Sequence, residues 1–280
     1  MEGIVRKEDG QLVVARWKKR TPQNDDASAL YDIQPLQLHD RGPAMQPEWT
    51  RCPAAESELV NDDSRFFVKK PSLLDYTDSD LSARIAREIA VCEGLRGHPH
   101  PNLATYHGCC VSANGHVDGL CFQRYRVSLL ELCNPGRLNK HAFVARGGQR
   151  SKLTVAVTGG SSTVQLHSGH LDGLLAGIRN LHSLGLVHND INPANIMVDG
   201  FDRNDGGSNG GKSTTPPVTL VLVDFDSCRP TGTSLRETKT RRTHGWHDAT
   251  VATAQADSDL NALAEVRAWL FGDITQLRWE

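Results

Sequence analysis

Between residues 171 and 184 the apolar side chains Leu171, Leu174, Leu175, Ile178, Leu181 and Leu184 recur with the period of an α-helix, and Gly185 comes directly after the last of them. Such a stripe is satisfied only on one face of a helix packed against something else. A glycine just past the end supplies the left-handed backbone that stops the helix. The next residues are of another kind: the polar run from His188 to Asn195, then two short runs of β-forming residues at 196–198 and 218–223. A chain that places a well-made helix directly before short strands and a polar loop is restricted to mixed architectures.

The rest of the chain extends this pattern. Residues 79–95 carry Leu81, Ile85, Ile89 and either Cys92 or Leu95 on one helical face, behind the cap-type residues Asp78 and Ser79. Further helices are expected over 129–132 and about 258–271. Phe66, Phe67 and Val68 make a short strand of β-formers, and Asn114-Gly115 between the apolar stretches 103–111 and 117–125 is a hairpin signal. The apolar burst at 11–17 comes after Asp9-Gly10 and reads as a strand after a turn, whereas residues 21–51 are rich in Pro, Asp, Gln and Ser and read as irregular or mobile. Residues 1–60 are poorly patterned as a whole, and order is expected from about Arg65. Residues 146–169 form a Gly/Ser-rich insert broken by an apolar run at 153–157, and 199–217 have the composition of a disordered loop. Small strands first and helices later give an α+β fold with two lobes joined near Tyr125.

Composition excludes several classes. A net charge of −2 over 280 residues offers neither a basic field for nucleic acid nor an acidic one. Seven scattered cysteines, with no C-x-x-C pair, suggest neither a disulfide framework nor a zinc site and are read as reduced thiols of an intracellular, cytoplasmic protein. The first ten residues are too charged for a signal-peptide core, and no apolar run reaches the ~18 residues a membrane span needs. The basic run Arg16-Trp-Lys-Lys-Arg20 is too brief to be more than a solvated patch.

The residues that carry chemistry sit at element ends. Lys69 closes the strand at 66–68, and Glu88 lies in the middle of the next helix. His188-Asn-Asp-Ile-Asn-Pro-Ala-Asn195 comes after the leucine-striped helix, and Asp224-Phe-Asp226 closes the strand at 218–223. In order and spacing, over about residues 65–270, these resemble the protein-kinase signature set of a strand lysine, a helix glutamate, a catalytic loop and a metal-binding D-F-G. The run from Phe67 to Leu74, the turn His98-Pro-His-Pro-Asn102 and the loop at His188 are similar to divergent protein-kinase-like proteins common in filamentous fungi. On this resemblance, residues 61–280 form the kinase-like domain, with a strand-rich lobe at about 61–125 and a helical lobe at about 126–280.

The resemblance implies an ATP- and Mg²⁺-dependent phosphotransferase acting on hydroxyl groups, most naturally those of a protein substrate. Lys69 would hold the phosphates and Glu88 would hold Lys69. Asn195 and Asp224 would supply oxygen ligands to Mg²⁺, and Asp190 would accept the proton of the attacking hydroxyl. Lys70 competes with Lys69, and Glu93 with Glu88. The pattern of three apolar residues before the lysine favours Lys69, and the distance to Leu95 favours Glu88. His188 reads as a packed organiser of its loop, His182 as helix surface, and Asp259 as either a helix cap or a tie to the catalytic-loop backbone. A Walker-like match from Gly206 to Ser213 lacks the strand before it and the helix after it, because Pro216 and Pro217 exclude a helix there.

The departures are as definite. No glycine occurs between Gly42 and Gly94, so the phosphate-covering glycine loop is missing. Asn189 stands where the family carries arginine, Asn192 where serine/threonine kinases carry lysine, and Asp226 where D-F-G has glycine. Thr243-His-Gly-Trp246 ends the next segment like a substrate-docking loop, with no Ala-Pro-Glu after it, and the chain ends about twenty residues after Asp259, so the closing helices of the larger lobe are expected to be missing. A pseudokinase or nucleotide-binding scaffold, and a small-molecule kinase, are therefore the alternative readings.

Overall fold

The computed structural model describes residues 2–6, 11–16, 30–53, 65–148, 153–157, 160–164, 166–200 and 218–279. It divides into two compact units, one made of Met1–Glu93 with Tyr106–Phe122, the other of Gly94–Thr105 with Gln123–Glu280. The Walker-like stretch and most of the loop expected after Asp199 lie outside the described residues. Among the described residues no helix is long and apolar enough to cross a membrane.

The first unit contains two three-stranded sheets. One runs β1 (Glu2–Arg6), β2 (Leu12–Arg16), β3 (Tyr31–Pro35). The other has the order β4 (Phe66–Lys69), β6 (Val117–Gln123), β5 (Tyr106–Val111). The β5–β6 pair is the hairpin expected at Asn114-Gly115, with Gly115 at φ 81°. Gly119 sits opposite β4: a Cβ there would lie 2.6 Å from Val68 Cγ1 and 3.3 Å from the Lys69 carbonyl oxygen. Absence of a side chain is what lets β4 approach and carry Lys69 beside the sheet. Helix α1 (Leu81–Arg96) buries Leu81, Ile89, Cys92 and Leu95 and half-buries Ile85, as its period requires.

Order begins well before Arg65. Pro43 and Thr50 accept backbone hydrogen bonds from Val117 and Cys109, and Met45 and Cys52 donate to Gly115 and Cys109. These ties use peptide groups, so the composition of residues 21–51 gave no sign of them. Asp40 accepts from Asn114 Nδ2 and Ser112 Oγ, which holds its carboxyl below the ordinary aspartate range.

All seven cysteines are free thiols. Burial pushes Cys109 up to about 11 and Cys133 up to about 12. Half-buried Cys110 is held below the ordinary thiol range, chiefly because the Cys121 thiol donates to it. Reactivity tracks the thiolate, so iodoacetamide at pH 8 is expected to modify Cys110 first in the native protein. Peptide mass mapping over time checks this; equally fast labelling of Cys109 or Cys133 would refute it.

In the second unit, β7 (Val127–Ser128), β11 (Ile196–Asp199) and β12 (Thr219–Leu222) form a small sheet with β11 central. Helices α2 (Leu129–Cys133) and α3 (Lys140–Ala145) come after β7. The insert at 146–169 contains an antiparallel pair, β8 (Leu153–Val157) and β9 (Gly160–Val164). Helix α4 (Ser168–Ser183) buries Leu171, Leu174, Ile178 and Leu181, each worth about 2 kcal/mol over exposure. Gly185, at φ 74°, closes it. The turn ending at Asn102 docks on this helix: Asn102 Nδ2 donates to Leu220 O, and Gly173 and Gly177 leave room for its side chain. Two-residue strands β10 (Leu186–Val187) and β13 (Arg229–Pro230) pair, and α5 (Ala256–Phe271) comes after them.

Candidate active site

In the first unit, Lys69 Nζ donates to Glu88 Oε1 at 2.7 Å, with the glutamate side chain 6% exposed. The competing residues are engaged elsewhere. Lys70, directly after β4, is exposed and lies 3.7 Å from Asp118. Glu93 accepts from the backbone N–H and hydroxyl of Thr50, which anchors the segment at 50–52 to α1.

In the second unit, the polar run from His188 to Asn195 leaves β10 as a loop whose backbone is fastened at both ends. Asp259, 1% exposed on the first turn of α5, accepts from His188 N at 2.8 Å and Asn189 N at 2.9 Å. His182 Nε2 lies 2.9 Å from the same carboxylate, so this residue of α4 is a bridge between helices, in correction of its reading as helix surface. Its position one turn before Gly185 aims it at α5, a relation between helices that a single helical period cannot report. His188 is fully buried; its Nε2 donates to Val223 O at 3.1 Å, and its Nδ1 accepts from Asp190 N at 3.3 Å. Its ring also meets Phe225 edge-on at 5.8 Å. At the far end, Asn192 Oδ1 accepts from Ala194 N and Asn195 N in the short 3₁₀ turn Pro193–Asn195.

Asp190 is thus presented by a rigid loop, and its carboxylate is oriented by three donors. Thr243 N reaches Oδ1 at 2.7 Å, while Thr243 Oγ1 and Asn195 Nδ2 each reach Oδ2 at 3.0 Å. Asn192 Nδ2 donates in turn to Thr243 Oγ1 and to the Asp190 carbonyl. Thr243 was legible as the end of a docking-type segment, but no spacing in the chain linked it to Asp190, fifty-three residues before it.

Asp224 stands just past β12 in the left-handed region, at φ 68°, where an aspartate is tolerated better than bulkier residues. It is half-buried, as are Asn195 and Asp226. The Asp226 carboxylate accepts from Ser227 Oγ. Asn189, also left-handed at φ 66°, donates its side-chain amide to Val187 O and Ser227 O, so it ties the loop to the turn after Asp224 by neutral bonds. Nearby, burial and then the charge of Arg242 hold His247 below the ordinary histidine range; its Nδ1 lies 2.8 Å from Thr243 O.

Among the described residues no group of three or more His, Cys, Asp or Glu forms a ready-made metal cage. Asp224, Asn195 and Asp226 nevertheless offer hard oxygen donors, the kind of sparse set that Mg²⁺ accepts when phosphates and water complete its shell.

A further network lies in the same unit, around residues that no motif or spacing singles out. Lys140, on α3, donates to the Glu265 carboxylate, to Gly245 O and to Trp279 O. Glu265 is fully buried on α5 and also accepts from Arg278 N and Trp279 N. The available signal was an acidic residue lodged in the otherwise apolar row Ala262, Glu265, Trp269 of a buried helix face.

Compared with known families, residues 57–255 match the model of the protein kinase domain. A comparison with curated proteins gives no match.

Proposed function

Because the chain belongs to the protein kinase domain family, we propose that it transfers the γ-phosphoryl group of ATP, with Mg²⁺, to a hydroxyl group of a protein substrate. The observation that supports this reading best is the orientation of Asp190 by Thr243 and Asn195 on a loop fixed by Asp259. A carboxylate held this way can align an attacking hydroxyl and accept its proton. Lys69, paired with Glu88, would neutralise phosphate oxygens. Asp224 and the side-chain carbonyl of Asn195 would hold Mg²⁺, with Asp226 as a further donor; the ion supplies charge neutralisation on the phosphates when bound. On this proposal residues 61–280 are the kinase domain. A second reading, a nucleotide-binding scaffold without transfer, is favoured by the lack of any glycine between Gly42 and Gly94.

Nucleotide binding and transfer are tested separately. ATP with Mg²⁺, at roughly ten times its dissociation constant, is expected to stabilise the protein by about 1.4 kcal/mol, and ATP with a chelator is not. Asp224→Ala should erase the shift in melting temperature, and Lys212→Ala, in the Walker-like stretch, should keep it. No shift at millimolar Mg-ATP in a folded sample removes both readings. A shift without radiolabelled phosphate transfer to protein substrates selects the scaffold.

A further inference from the structure

The second unit holds Asp190 from two directions, and both lead to α5. On one side Asp259 binds the backbone N–H groups of His188 and Asn189, immediately before Asp190. On the other, Thr243 binds the Asp190 carboxylate through its N–H and hydroxyl, and two residues later the carbonyl of Gly245 accepts from Lys140 Nζ at 2.7 Å. Lys140 is paired with Glu265 on α5.

The surroundings of Lys140 make it a fixed point. Its side chain is 11% exposed, and Glu265 is fully buried. The ammonium lies 4.7 Å from the Trp246 ring centroid, and Trp246 meets Trp269 of α5 edge-on at 5.9 Å. Phe143, one turn after Lys140, stacks on Trp269 at 4.5 Å. Gly245 is buried at φ 80°, so the chain turns sharply where Lys140 grips it. An ammonium has three donors, and Glu265, Gly245 and Trp279 take all of them.

We propose that Lys140 is a positioning residue for phosphoryl transfer: with Glu265 and the Arg278–Trp279 backbone, it clamps the segment that presents Thr243 to Asp190. This rests on the kinase reading for its catalytic consequence, but the clamp itself is a property of the fold. Its loss frees Gly245–Trp246 and lets Thr243 leave the carboxylate, so that of the three donors only Asn195 Nδ2 still orients Asp190. Binding of ATP does not depend on it.

Removing one member of a buried ion pair strands the other charge, so the test uses the double variant Lys140→Met/Glu265→Gln, which removes both. Hydrogen exchange of the Thr243 amide is expected to quicken at least about tenfold, because the segment that carries it is no longer held in place. The turnover number should fall by about tenfold to a hundredfold with the KM for ATP unchanged, the size of effect that small misplacements produce. Lys140→Arg, which keeps the cation and its donors, should restore part of both. Unchanged Thr243 exchange in a folded double variant overturns the proposal. Should that variant not fold, the unaltered protein decides: the Thr243 and Trp279 amides belong to one network and must open together, within about threefold in rate, and independent opening overturns the clamp. If the unaltered protein transfers no phosphate at all, the kinase reading falls by itself, and the exchange result still decides the clamp.

Discussion

Replacement of Asp190 by asparagine is expected to lower phosphoryl transfer by roughly two orders of magnitude or more, the usual contribution of a positioned general base. The substitution keeps the shape of the side chain and removes the base. It also sets an amide N–H against donors, because Thr243 and Asn195 supply hydrogens to both carboxylate oxygens. Turnover should collapse while the Mg-ATP shift in melting temperature persists, since neither Lys69 nor Asp224 is altered. Single-turnover transfer measured beside thermal unfolding separates the two. Near-normal turnover in the folded variant would take Asp190 out of the mechanism.

The largest effect on stability is expected from Asp259→Ala. This carboxylate is 1% exposed and accepts from His188 N, Asn189 N and His182 Nε2. Truncation leaves two backbone N–H groups and a ring nitrogen facing a void, at a cost of about 3–5 kcal/mol, comparable with breaking a buried charged pair. For a chain of this size that lowers the melting temperature by at least about 6 °C. Asp259→Asn should fall between the two, because one side-chain oxygen still accepts while the amide opposes the second donor. An unaltered melting temperature in the alanine variant would show that the loop does not depend on this anchor.

What the sequence displays and what it hides divide along a physical line. The stripe from Leu171 to Leu184 and the face of α1 are local periods, and Asn114-Gly115 is a local turn chemistry, so the elements they specify could be read directly. The polar residues at element ends could be picked out for the same reason, since each is defined by the element it closes. The segment at 39–53 could not be read, because backbone groups join it to the hairpin. The roles of His182, Thr243, Lys140 and Glu265 stayed hidden for a related reason. Their meaning lies in partners 53 to 139 residues distant, and nothing in a one-dimensional pattern carries that distance.

Both anchors on α5, Asp259 and Glu265, hang from one rigid element, which fixes how this stretch of the gene can change. Each residue added to or removed from a helix rotates everything beyond it by about 100° and shifts it by about 1.5 Å. A single-codon insertion between the anchors would turn Glu265 away from Lys140 while Asp259 stayed on the loop. Exchanges at Asp257, Ala264 or Arg267, all exposed, disturb neither. The stretch should therefore drift freely in composition on its outer face and remain fixed in length, so in-frame insertions and deletions would be depleted there while substitutions at its exposed positions would not.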